Sequence, residues 1–231
     1  MPQAPKQPPR CNGRATPQVG KGAGKMERRR LLDIPHSEDL VFYAPLDLEH
    51  GTTEILHNIT PITESGATVS WNTTKQMYNL YASNTASDKT TSALYYQNIG
   101  MGLIDGQGVT LCIDIEEQSM LSIYPSMIST PKYMEGSNVM IRHATFNTSR
   151  YTLLKGRFVV TCSQWDGIQS VQKWYQNGIL KDTGISTIFK HLSLDRVTIC
   201  ETAFNNYNYR IYATNARIYN REMTAEEVAQ L

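Results

Sequence analysis

The sequence predicts an all-β protein, a two-sheet antiparallel sandwich closed by one short C-terminal helical segment. Three observations carry that prediction. The run 171–180, VQKWYQNGIL, sets Asn177-Gly178 between apolar and aromatic residues, the strongest short-range signal for a two-residue hairpin. Residues 109–117 alternate strictly, with Val109, Leu111, Ile113 and Ile115 on one face and Thr110, Cys112, Asp114 and Glu116 on the other. That is the pattern of a strand with one face on a core. Finally, short runs rich in β-branched and aromatic residues recur between polar connections, with thirteen Tyr and three Trp in 231 residues, and only the chain end reads as a helix.

Residues 1–37 read as a basic arm, disordered or extended, and 38–231 as the sandwich domain. In the arm Pro2, Pro5, Pro8, Pro9 and Pro17 break regular structure and Gly20, Gly22 and Gly24 loosen it. Order begins near Asp39. Residues 40–46 form a first strand with Phe42, Ala44 and Leu46 on one face, and Pro45 removes a ladder donor. Residues 51–62 loop over a sheet rim, 67–71 form a short strand, 72–91 mix loop and short strand, and 93–96 form another short β run. Gly100, Gly102, Gly106 and Gly108 mark tight turns around Asp105. They match neither a dinucleotide fingerprint nor a Walker loop.

The alternating strand 109–117 follows, and apolar residues continue through 120–124. Pro125 and Pro131 enclose a loop. Residues 138–143 and 150–154 pair as strands about a polar turn, 157–163 form a strong central strand, and 164–168 turn. The hairpin strands are 169–176 and 179–181. Residues 186–194 are mixed, 196–201 form a strand and 205–208 a polar loop. In the long last strand, 209–219, Ile211, Ala213, Asn215, Arg217 and Tyr219 alternate with Tyr212, Thr214, Ala216 and Ile218. Thr224 with Glu227 makes a capping box, Met223 staples onto Val228, and the short helix turns Val228 and Leu231 inward.

The net charge of +1 conceals an uneven distribution. Lys6, Arg10, Arg14, Lys21, Lys25, Arg28, Arg29 and Arg30 face one acid, Glu27, within residues 1–31, whereas the rest of the chain holds fourteen basic against twenty acidic side chains. Such an arm suits a partner-binding role, with Arg10, Arg14, Lys21, Lys25, Arg28, Arg29 and Arg30 as its contacts. It fits an acidic partner surface, or nucleic acid through counterion release, although it lacks the interleaved aromatics of base stacking. There is no apolar signal region at the start and no apolar run of about 18 residues, which argues against classical export and a membrane span. Cys11, Cys112, Cys162 and Cys200 form no C-x-x-C pair, which argues against a zinc knuckle; the last three sit in apolar runs and read as buried thiols.

No catalytic motif stands out. Asp114 and Glu116 share a strand face as a glycosidase pair would, but Glu117 falls on the opposite face and no Trp adjoins, so solvated strand acids are the simpler reading. His36, His50, His57, His143 and His191 have no metal-ligand spacing. No cofactor is expected beyond calcium, for which Asp105, Asp166, Asp182, Asn205, Asn206 and Asn208 offer loop oxygens. For glycan binding, Trp165, Asp166 and Tyr207 are the candidate ligand contacts because they read as loop residues, with Trp71 and Tyr95 behind them.

The tail Ala216-Arg217-Ile218-Tyr219-Asn220-Arg221 with residues 223–231, preceded by 155–162 and Tyr175-Gln176-Asn177-Gly178, resembles the laminin-G-like, concanavalin A-like jelly-roll domains over residues 38–231. The resemblance implies a jelly-roll sandwich and a choice among carbohydrate-binding modules, hydrolase accessory domains, adhesion domains and bacteriophage decoration or fibre proteins. Together with the arm, it leads us to expect a non-enzymatic structural, decoration or adhesion module of a phage or prophage particle. Such a module binds capsid or tail proteins through the arm, forms a homo-oligomer or joins a larger assembly, contacts a cell-surface glycan, and resides in the virion or, before assembly, in host cytoplasm. The alternatives are a stand-alone carbohydrate-binding protein and a glycan hydrolase using Asp114 and Glu116.

Overall fold

The computed structural model describes residues 31, 33–84, 90–100, 107–120, 125–130, 139–149, 151–187, 196–203 and 207–231. The basic arm contacts Arg10, Arg14, Lys21, Lys25, Arg28, Arg29 and Arg30 lie outside the described residues, as do Cys11, Asp105, His191, Asn205 and Asn206.

The described strands are Leu40–Ala44 (β1), Ala67–Asn72 (β2), Met77–Asn84 (β3), Thr90–Gln97 (β4), Val109–Met120 (β5), Ser126–Thr130 (β6), Val139–Arg142 (β7), Lys155–Cys162 (β8), Ser170–Gln176 (β9), Ile179–Ser186 (β10), Arg196–Ala203 (β11) and Tyr207–Tyr219 (β12). Eight of them make one sheet in the order β10-β9-β8-β5-β12-β3-β2, with β1 also on β12; the other four make a second sheet, β4-β11-β6-β7. Each pairing is antiparallel. This is the two-sheet sandwich the sequence predicts. Phe42, Leu80, Leu111, Ile113, Ile211 and Ile218 of the large sheet and Leu94, Tyr96, Ile128 and Ile199 of the small one belong to the same buried core. Each such side chain contributes about 1.5–3 kcal/mol by leaving water.

The hairpin forms as expected. Asn177 and Gly178 both have positive φ, 52° and 77°, the primed turn whose twist matches its flanking strands. Asn177 Oδ1 accepts a hydrogen bond from Arg157 N at 2.9 Å. The C-terminal helix, Ala225–Val228 (α2), has the full capping box. Met223, Val228 and Leu231 cover Cys112, Val159, Tyr175 and Tyr219 in a second, smaller core on the outer face of the large sheet. Cys112, assigned from alternation to a polar face, is therefore fully buried; only the Asp114–Glu116 end of that face is open.

Several local expectations are corrected. Ser126–Thr130 is a fully buried strand, not a loop; its Ser129 hydroxyl bonds to Thr198 and Glu201, which satisfies polar groups the sequence marks as loop-like. β7 pairs with β6, not with 150–154. The chain leaves β7 through a helical turn, His143–Phe146 (α1), because His143 is drawn inside to the Glu117 carboxylate at 2.9 Å. Within 72–91, β3 runs eight residues because both flanks pair it, to β2 and to β12. Tyr207 and Asn208 are strand residues opposite Asn84 and Ser83, not loop residues. The first strand ends at Ala44, since Leu46 turns with φ 53° yet stays buried. β10 runs on to Ser186.

The most consequential correction lies in β12. Asn215 has φ 54°, and pairing with β5 shifts between Thr214 and Arg217. This bulge breaks the alternation: Ile211 and Ala213 face the core, but beyond it Ala216 and Ile218 do. Arg217 and Tyr219 consequently join Tyr212 and Thr214 on the outer face, as expected where one extra residue is inserted into a ladder.

A candidate ligand-binding face on the large sheet

The outer face is read from the registers. One row across the sheet runs Ser70 (β2), Asn79 (β3), Tyr212 (β12), Glu116 (β5) and Lys155 (β8). The neighbouring row contains Thr214, Asp114 and Arg157. On the other side Arg210 stands opposite Tyr81, its guanidinium 4.9 Å from the ring centroid. All these positions alternate with core residues on the same strands, which is why they share one side.

An open groove of about 640 Å³ lies over this face. Its floor includes Lys75, Asp114, Glu116 and Arg157, and Val228 and Ala229 from the helical end form an apolar wall. Arg157 holds Asp114 with two bonds, Nε to Oδ1 at 2.7 Å and Nη2 to Oδ2 at 2.9 Å. Asn215, turned outward by the bulge, donates to Asp114 Oδ2 at 3.0 Å. Glu116 accepts Lys75 at 2.6 Å on one oxygen and Lys155 at 2.9 Å on the other. The two lysines hold its pKa down to about 2. Beside them Tyr212 is half-buried, its hydroxyl accepting from Asn72 Nδ2 at 3.3 Å and its ring 5.9 Å from the Lys75 ammonium.

The Asp114–Glu116 pair does not supply the acid that glycoside hydrolysis requires. A general acid needs a raised pKa, whereas Glu116 is ionised far below neutrality, and both Asp114 oxygens are occupied by Arg157. Among the described residues no group of three His, Cys, Asp or Glu side chains is placed to hold a metal ion. Of the calcium candidates, Asp166 caps its own turn, accepting from Ile168 N and Gln169 N at 2.8 Å each. Those bonds hold its carboxyl below the usual range. Asp182 accepts from Thr183 N.

The residues singled out in the sequence do not converge. Trp165 is half-buried on the turn after β8, whose end Cys162 pairs with Val109, beside the Tyr219 end of β12. Tyr207 starts β12. Thirteen strand residues, about 40 Å at the usual rise, separate the two ends of that strand. Tyr95 is buried, and Trp71 packs edge-on against Tyr78 at 5.3 Å. Lys75, Lys155, Arg157, Tyr212 and Asn215 escaped the sequence reading. The available signal was parity: Lys155 and Arg157 alternate with Phe158's face, and Tyr212 and Thr214 alternate with Ile211 and Ala213.

No protein-family model and no curated protein matches the chain. Solved structures do share its fold. The binding domain of botulinum neurotoxin DC, solved in complex with rat synaptotagmin II, is 13% identical with a TM-score of 0.53, over 84% of this chain and 51% of that one. The binding domain of botulinum neurotoxin serotype D/C VPI 5993 is 14% identical with a TM-score of 0.52, over 84% and 51%. A structure of botulinum neurotoxin type C, whose cell entry is dependent upon interaction with two ganglioside molecules, is 13% identical with a TM-score of 0.52, over 84% and 50%. The chain spans about half the length of these proteins, and at such identities the likeness is one of fold.

These matches overturn the laminin-G-like and bacteriophage reading, and with it the attachment of the arm to capsid or tail proteins. Two of the solved structures that share this fold are binding domains of toxins. The motifs that suggested otherwise, Asn177-Gly178 and the Thr224–Glu227 cap, are turn and cap chemistry, which a sandwich of any family needs at a tight hairpin and a helix start.

Proposed function

We propose that the chain is a non-catalytic recognition module that binds a cell-surface glycan on the outer face of the large sheet. The observation that carries this is the row Tyr212–Glu116–Lys155, with Lys75 and Asn72 beside it. Sugar hydroxyls need both donors and acceptors held in fixed positions, and sugar C–H faces need an aromatic or apolar surface. Ionised Glu116, the donors of Lys75 and Lys155, the Asn72 amide, the Tyr212 ring and the Val228–Ala229 wall supply these. The shared fold with toxin binding domains supports the reading. Every side chain it uses falls within residues 38–231.

The test is a glycan array followed by calorimetric titration of the full chain. Tyr212→Ala and Glu116→Gln are each expected to weaken binding at least tenfold, about 1.4 kcal/mol, with the fold retained and, for Glu116→Gln, stability lowered by about 1 kcal/mol or less. Absence of glycan binding overturns the proposal. A second reading rests on the half-exposed Trp165, held on the turn that Asp166 builds. It is favoured instead if Trp165→Ala abolishes binding while Tyr212→Ala does not.

A further inference from the structure

β10 closes one end of the eight-stranded sheet: β9 pairs with one side of it, and no described strand pairs with the other. Of the large hydrophobic side chains exposed among the described residues, Ile179 (62%), Leu180 (50%) and Ile185 (65%) lie on this strand, and Ile168 (75%) lies on the turn leading into β9. The opposite edge, β2, carries none. Leu180 and Ile185 are five residues apart and should face opposite sides. The register instead sets Leu180 opposite Tyr175 and Ile185 opposite Val171, because pairing shifts at Lys181. Both therefore stand on the outer face as an apolar shelf. Between them Gly184 makes room for the Trp174 ring on the opposite face; a Cβ there would meet that ring at 3.0 Å.

We propose that β10 is the docking edge for an extended segment of a partner protein, which adds to the large sheet as a further strand. Main-chain bonds to the open edge supply affinity, and apolar residues at alternate positions resting on Leu180 and Ile185 supply selectivity. The size of the edge selects the occupant. Eight strand residues span about 26 Å, and a sheet layer is about 10 Å deep, so an end-on contact covers about 260 Å². A stable complex of folded partners buries about 800 Å² on each side, and a second folded copy is therefore under-supported. This inference is independent of glycan binding at the groove.

The experiment uses the full chain and a ten-residue peptide of alternating valine and threonine, followed by backbone amide hydrogen exchange. At millimolar peptide, amides of residues 182–186 are expected to exchange at least tenfold more slowly. The same peptide N-methylated at alternate residues is expected to give no slowing, as is the parent peptide with Leu180→Lys/Ile185→Lys. If that variant melts early, Leu180→Thr/Ile185→Thr, which keeps strand propensity, takes its place. No slowing in β10, equal slowing with the N-methylated peptide, or slowing that grows with protein concentration without peptide overturns the proposal, the last by showing self-pairing.

Discussion

The Tyr209 hydroxyl donates a 2.8 Å hydrogen bond to Oε1 of Glu117, and both residues are buried in the interior of the sandwich. The same carboxylate meets His143 Nδ1 at 2.9 Å and accepts Leu154 N at 2.7 Å. It thus ties β5, β12, the turn after β7 and the strand entry at 154 into one polar knot within an apolar core. A buried carboxylate is tolerated when each oxygen is satisfied.

Breaking that knot leaves its partners stranded. Glu117→Gln keeps the shape but removes the charge and turns a donor toward Tyr209 or Leu154. It is expected to destabilise the protein by about 3 kcal/mol, seen as a lower urea midpoint at unchanged slope. A loss under about 1 kcal/mol contradicts the account.

Gly156 has φ 128°, and the Asn177 amide occupies the space its Cβ would take. Gly156→Ala is expected to cost about 2 kcal/mol in strain. Asn177→Gly keeps a residue suited to positive φ and empties that space. In the double variant the two changes should couple favourably by about 1 kcal/mol. Simple additivity in denaturant titrations sinks the proposed clash.

Glu116 is depressed from 4.5 to about 2 in the folded state. A depressed carboxyl contributes stability that is present above its unfolded pKa and lost as pH falls through the folded one. The contribution should therefore disappear between about pH 4.5 and about pH 2. Lys155 is largely exposed, so solvent screening limits the effect to about 1 kcal/mol or less. Relative to wild type, Glu116→Gln should flatten the stability profile in that window and leave its slope near neutral pH unchanged. An unchanged acid limb counts against the two-lysine cause.

Elements governed by neighbours in the chain were legible. Asn177-Gly178 makes its hairpin, Thr224 and Glu227 cap the last helix, and Val109, Leu111, Ile113 and Ile115 face the core, because positive φ, capping and period-two alternation depend on residues a few positions away. Serine- and threonine-rich β6 was not legible, since its burial depends on Glu201 and Thr198 some seventy positions on. Nor was the end of β7, where the pull of Glu117 on His143 acts across 26 positions.

The sequence by itself determined the class of fold and the chemistry of its turns and caps, because these follow from local dihedral preference and alternation. The candidate binding face was decided only by the tertiary structure. The Asn215 bulge in β12 reverses which side chains look outward and brings Asn215 to Asp114, while long-range register sets Tyr212, Glu116 and Lys155 in one row. Register and bulges are chosen by how whole strands fit one another, and no short stretch of sequence contains that choice.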